Sequence, residues 1–127
     1  MRSLIILLAS LLLLGSCSKP RSQSNFPSRA GSTPPKVTFI ELGSVNCIPC
    51  IKMQVVMREI EREYGDQVTI VFYDVWTEAG KPYAQQYRIR VIPTQVFLDR
   101  DGNEYFRHEG YFPKGDLLQV LRLKGVQ

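Results

Sequence analysis

Cys47 and Cys50 stand three positions apart in Cys47-Ile48-Pro49-Cys50, just after the apolar run Val37-Thr38-Phe39-Ile40-Glu41-Leu42 and at the start of a helical pattern. Two thiols at that spacing on a first helical turn can close a small disulfide ring and reopen it. The free amides and partial positive charge of a helix start favour a thiolate on the first sulfur. A pair of thiols that makes and breaks a disulfide transfers electrons, so the chemistry is thiol–disulfide exchange. Cys47, nearer the helix start, is the expected nucleophile. Its mixed disulfide with a substrate would be resolved by Cys50, one turn further in. Pro49 restricts the backbone between them and keeps the sulfurs near bonding geometry. A second reading stays open: a permanent structural disulfide in a non-catalytic binding lipoprotein.

The elements that must hold this pair follow from hydrophobic periodicity. Val37–Leu42 reads as a buried strand, and Ile48–Tyr64 as a helix with Ile51, Val55, Ile60 and Tyr64 on its apolar side and Gly65 at its end. Val68–Tyr73 is a second, β-branched strand. Glu78–Tyr87 suits a short helix, with Pro82 tolerable only in its first turn. Thr94–Leu98 and Glu104–Glu109 are strands joined by the turn Asp99-Arg100-Asp101-Gly102-Asn103. Pro113–Leu123 closes as a helix carrying Leu117, Leu118, Val120 and Leu121. The order β-α-β-α-β-β-α implies an α/β domain with a mixed sheet, a parallel crossover first and an antiparallel hairpin after it.

The N-terminal residues state where this domain works. Met1-Arg2-Ser3 is a short positive start, and Leu4–Leu14 is almost wholly aliphatic. A run of 11 residues is too short for a membrane-spanning helix, which needs roughly 20; it fits the apolar core of a secretory signal. Gly15 and Ser16 before Cys17 resemble a bacterial lipobox. By that resemblance residues 1–16 are a lipoprotein signal peptide and Cys17 becomes a lipidated N-terminus, anchored by several acyl chains. The alternatives are an ordinary cleaved signal with a chance cysteine, or an uncleaved anchor. Cysteine counting favours lipidation: of 3 cysteines, it removes the odd one and leaves one clean pair.

Charge divides the chain at the same place. Of 16 Lys and Arg, five (Arg2, Lys19, Arg21, Arg29, Lys36) lie in residues 1–36, which hold none of the 12 acids; 16 − 5 leaves eleven bases against twelve acids beyond, a net of −1. The basic balance therefore belongs to the leader and to residues 17–35, a Ser/Pro/Arg/Gly-rich stretch that reads as a disordered tether. The domain, residues 36–127, has no basic surplus to recommend nucleic-acid binding.

The order of elements, Cys-x-x-Cys at the first strand-to-helix junction, Val91-Ile92-Pro93-Thr94 before the third strand and the Asp-Gly hairpin after it together resemble the thioredoxin family over about residues 36–124. The resemblance implies a thioredoxin-like fold: a central mixed four-stranded sheet flanked by about three helices, without the family's usual extra N-terminal strand and helix. It implies a thiol–disulfide oxidoreductase acting as a monomer, with no cofactor beyond the Cys47–Cys50 disulfide. Pro93 would be cis and face that disulfide, against the roughly 5–6% base rate for X–Pro bonds, and would present main-chain groups to an extended substrate. Glu41, six positions before Cys47, falls where thioredoxins place a buried acid that assists proton transfer at the second cysteine. The other reading is a Glu on the solvent face of an edge strand. Asn46, Ile48, Pro49, Ile92, Thr94 and Trp76 would form the substrate-binding surface, although Trp76 at a strand end reads first as packing. Asn46 departs from the family, standing where many thioredoxins carry tryptophan, so the resemblance implies the exchange chemistry but not the family's substrate recognition or redox potential.

The Ile48-Pro49 dipeptide lacks the histidine of strongly oxidising relatives, which favours a reductase over an oxidase or isomerase. The expected role is extracytoplasmic: reducing disulfides in exported proteins, apocytochrome c among them, with electrons from a DsbD/CcdA-type transmembrane thiol carrier. A zinc or copper site is not expected, because two thiolates leave a tetrahedral metal two ligands short. The only histidine, His108, reads as lying on the outer face of its strand, and Arg88 and Arg90 read as solvated charge.

Overall fold

A computed structural model describes residues 34–127. Its elements are β1 (Val37–Gly43), α1 (Ile48–Tyr64), β2 (Val68–Asp74), α2 (Lys81–Gln86), β3 (Thr94–Asp99), β4 (Glu104–Glu109) and α3 (Lys114–Arg122). Among the described residues they form one sheet of order β2-β1-β3-β4, with β1 parallel to β2 and antiparallel to β3, and β4 antiparallel to β3. The domain is the expected α/β mixed sheet. Cys17 and the proposed leader and tether lie outside the described residues, apart from the last two positions before the domain.

β1 is central because both of its faces are apolar. Val37 and Phe39 face α1 and α3, in a core with Met53, Val56, Met57, Ile60, Phe97, Phe112, Leu117 and Leu121. Ile40 and Leu42 face the other way, with Val75 and Val96, under the Tyr83, Ala84 and Tyr87 side of α2. The rings of Phe39 and Phe97 stack 4.9 Å apart across the β1–β3 pair, and Phe106 and Phe112 meet Phe97 edge-on. The edge strand β4 carries Glu104, Arg107 and Glu109, charges that discourage pairing with another chain.

Three sequence readings need correction. In α1 the buried side chains are Cys50, Met53, Val56, Met57 and Ile60, while Ile51 and Val55 are about half exposed, at 49% and 47%. Cys50 must point into the domain, and that fixes the rotation of the helix. A residue one position on is turned by about 100°, so Ile51 and Val55 land on the open side. Helix α2 starts at Lys81 rather than Glu78, after a turn in which Gly80 and Lys81 donate to the Thr77 carbonyl; Pro82 lacks an N–H and fits its first turn. His108 is half-buried rather than on an outer face: its ring stacks on Phe112 at 4.2 Å, on the side of the sheet that carries α1 and α3.

Candidate active site

β1 delivers the chain to α1 through Ser44-Val45-Asn46. Cys47 occupies the N-cap position of α1 with extended backbone (φ −104, ψ 121); no side chain caps the helix, and its first turn holds no acid. The first-turn N–H groups therefore have no side-chain oxygen to serve them, and the residue at the capping position is Cys47 itself. Pro49 lies in the same turn, where its missing N–H costs nothing. Cys47 and Cys50 are joined by a disulfide, with Cα atoms 5.2 Å apart. Cys50 is wholly buried and Cys47 is 9% exposed, so Cys47 is the sulfur nearer solvent. Ile48, Pro49, Val45 and Asn46 are exposed around it.

The loop before Cys47 is clamped by Asp74 at the end of β2. Asp74 Oδ2 accepts the Val45 N–H at 3.2 Å and Oδ1 accepts the Trp76 N–H at 3.1 Å. Ser44 adds two bonds, its Oγ accepting from Asn46 N–H at 3.3 Å and its carbonyl from Cys47 N–H at 3.2 Å. One carboxylate thus ties Trp76 to the approach to Cys47. The Trp76 indole is 59% exposed and does not pack inward as its strand-end position suggested.

Glu41 lies two residues before Gly43 on the sheet face that carries α1. It is fully buried on the central strand, which rules out the edge-strand reading. Gly43 brings β1 close to α1: a Cβ there would lie 3.2 Å from both Cys50 Cβ and Sγ and 3.5 Å from Glu41 Oε1. Glycine therefore keeps the acid and the second sulfur on two sides of one small gap. Glu41 Oε2 accepts from Gln95 Nε2 at 3.0 Å, whereas Oε1 has no partner among the described residues. Burial pushes the Glu41 carboxyl up to about 8, against the opposing pull of the Gln95 hydrogen bond.

Pro93 joins the site through sheet register. Leu42 faces Thr94, so Pro93 stands opposite Gly43 at the same end of the sheet as Cys47 and Asp74. The Ile92–Pro93 bond is cis. Ile92 is half-buried and Val91 exposed; Thr94 is buried, its hydroxyl donating to the Val91 carbonyl at 2.8 Å. What Thr94 can offer a partner is therefore its main chain. Gly110, with φ +93, donates its N–H to the Pro93 carbonyl at 2.8 Å and closes this end of the sheet.

Arg88 and Arg90 lie apart, beside a hollow of about 530 Å³ shared with Arg107, Glu104 and Glu109. Arg90 pairs with Glu109 at 2.9 Å and Arg107 with Glu104 at 2.7 Å. Among the described residues no group of three or more His, Cys, Asp or Glu side chains is placed to hold a metal ion. Asp74, Gln95, Gly43 and Gly110 carry site geometry that the sequence reading did not single out. Gln95 alone left a signal, as an uncharged polar residue inside the run Val91–Leu98.

The family model of the thioredoxin-like domain matches residues 28–124. The chain belongs to the thioredoxin-like family. This thioredoxin-like chain is 33% identical over 86 residues to a thioredoxin of Mycolicibacterium smegmatis, covering 68% of this chain and 76% of that one. It is 26% identical over 117 residues to a chloroplastic thioredoxin-like protein of Arabidopsis thaliana, covering 92% of this chain but 45% of that protein. Among solved structures, an exposed lipoprotein thioredoxin of Streptococcus pneumoniae shares the fold, with a TM-score of 0.62 at 22% identity over 71% of this chain and 86% of that one. The thioredoxin-like domain is a thiol–disulfide oxidoreductase whose redox group is the Cys47–Cys50 pair.

Proposed function

We propose that the protein is a membrane-tethered, extracytoplasmic reductase that passes electrons from a transmembrane thiol carrier of the DsbD/CcdA type to disulfides in exported proteins, apocytochrome c among the candidates. The observation that carries the reading is the placement of a buried acid beside the inner sulfur of the pair. The apolar leader ending at Cys17 supports the lipid tether.

In the reducing direction the Cys47 thiolate attacks one sulfur of the substrate disulfide, and the other leaves as a thiolate that takes up a proton. Cys50 then gives its proton to Glu41 in its carboxylate form, and the Cys50 thiolate attacks Cys47. The second substrate sulfur is released as a thiolate and is protonated from Glu41 or from solvent. The substrate gains two electrons and two protons, and Cys47–Cys50 becomes a disulfide. Burial suits Glu41 to this work. Against a thiol of ordinary acidity, a glutamate at 4.5 would take the proton uphill by about 5 kcal/mol; raising the carboxyl to about 8 removes most of that mismatch.

The test is the reduction potential of the Cys47–Cys50 pair in the purified full chain, by equilibration against dithiothreitol or glutathione. A value near about −270 mV supports the reductase, and a value near about −120 mV refutes it in favour of an oxidant. A potential far below the glutathione range together with no turnover identifies the inert module. Mass spectrometry of the membrane-extracted protein tests Cys17: the tether reading requires a diacylglycerol thioether on it.

A further inference from the structure

Gln95 is a fully buried polar side chain beside the active-site acid, and the reaction as written gives it no role. Strand register sets Glu41 opposite Gln95 and Gln95 opposite His108, so three polar side chains cross β1, β3 and β4 in one row. The neighbouring row on the same face is Phe39, Phe97 and Phe106. A glutamine in this setting carries a desolvation cost that a leucine would not, and its Oε1 has no partner among the described residues, so what its N–H donors hold must account for it.

Gln95 Nε2 lies 3.0 Å from Glu41 Oε2 and 3.1 Å from the Gly110 carbonyl oxygen. Two oxygen acceptors at one end of the amide require the NH₂ group there, which fixes its orientation. Both N–H donors are then committed, one to Gly110 and one to Glu41. The two oxygens of Glu41 become inequivalent. Oε2 accepts from Gln95, while Oε1, unpartnered, borders the gap over Gly43 that also borders Cys50 Sγ. A neutral carboxyl in this arrangement keeps its carbonyl on Oε2 and its proton on Oε1, the oxygen that borders the gap shared with Cys50 Sγ.

We infer that Gln95 is a positioning residue of the exchange reaction: held by Gly110, it orients the Glu41 carboxyl so that the proton is taken up and released on the Cys50 side. The inference rests on Glu41 serving as the proton carrier for Cys50. The groups that face Glu41 are Cys50 from α1, Phe72 from β2, Gln95 from β3 and, one strand beyond, His108 from β4. Among the described residues no lysine or arginine contributes to its titration; burial and the Gln95 bond set it. Removing a bond that favours the carboxylate must move the titration to higher pH.

The test uses the full chain in its oxidised form, where the two cysteines do not titrate. Nuclear magnetic resonance follows Glu41 Cδ and the Gln95 side-chain amide from pH 5 to 10, in the wild type and in Gln95→Met. The expected result is a shared midpoint for the two wild-type signals and a rise of about one pH unit or more in the Glu41 midpoint of Gln95→Met. The pH profile of disulfide reduction should move by the same amount. A Gln95 amide that stays flat through the Glu41 titration overturns the inference, even where Gln95→Met does not fold. An unmoved Glu41 midpoint in a folded Gln95→Met overturns it as well. Glu41→Gln separates the two claims: if that variant keeps the wild-type rate profile, proton carriage by Glu41 fails and the inference falls with it. If Glu41→Gln changes the profile and Gln95→Met does not, only the role of Gln95 fails.

Discussion

Replacing Glu41 with glutamine should make the domain more stable, and increasingly so as pH rises. The folded state holds the Glu41 proton up to about 8, whereas the unfolded chain releases it near the ordinary 4.5. Between those values the folded state binds one proton more than the unfolded state, so stability falls with pH by about 1.4 kcal/mol per pH unit. The sign follows from the raised value: the contribution is intact below 4.5 and has been lost by the time pH passes about 8. Across the window the loss reaches about 5 kcal/mol, of which about 3 kcal/mol has accrued by pH 7. That is a large share of the roughly 5–15 kcal/mol that holds a typical domain together. Glu41→Gln keeps the shape and can still accept from Gln95, but it has no proton to lose. Urea unfolding of the oxidised full chain, followed by circular dichroism at pH 4.5, 7 and 9, reads the difference directly. The gap between variant and wild type should widen by about 5 kcal/mol from the lowest to the highest pH, or about 2 M or more in midpoint. A gap that stays constant with pH would refute the reasoning, because it would mean that folding leaves the Glu41 titration unchanged.

Three further outcomes follow from the site. Cys50→Ser should retain the first attack and accumulate a Cys47 mixed disulfide with protein substrates, visible on non-reducing gels and absent in Cys47→Ser. Asp74→Ala removes the acceptor of two backbone N–H groups at the loop before Cys47. It should cost about 1–2 kcal/mol in denaturant unfolding and slow disulfide exchange as well. Trp76→Ala, at an exposed indole, should change stability by less than about 0.5 kcal/mol. Its effect should appear as a raised KM for protein disulfides, and an unchanged KM would remove Trp76 from the substrate surface.

Much of the fold was legible because the signals were local and strong. A continuous apolar run in Val37–Leu42 requires cover on both faces, which made β1 central. The Asp-Gly turn required a hairpin, and β3 and β4 form one. The apolar side of α1 was not legible, since Ile51 and Val55 are as hydrophobic as the residues that are buried. Helix rotation was decided by the need to seat Cys50 against Gly43. The packing reading of Trp76 and the outer-face reading of His108 failed for a related reason. Burial of a single aromatic or imidazole depends on what the rest of the chain brings to it, here Asp74 for one and Phe112 for the other.

The sequence by itself determined the chemistry. Two cysteines three positions apart at a strand-to-helix junction can exchange disulfides in any fold that keeps that junction, because spacing and helix polarity are properties of the local chain. It also placed Glu41 among apolar neighbours, where only a partner or a function excuses a carboxyl group. The tertiary structure decided what that carboxyl does. Its partner Gln95 lies 54 positions away and its seat opposite Cys50 depends on a glycine in a third location. Contacts between residues so far apart arise only when β3 inserts beside β1 and α1 packs over their shared face. No local pattern encodes that distance, and the proton chemistry of the site depends on it.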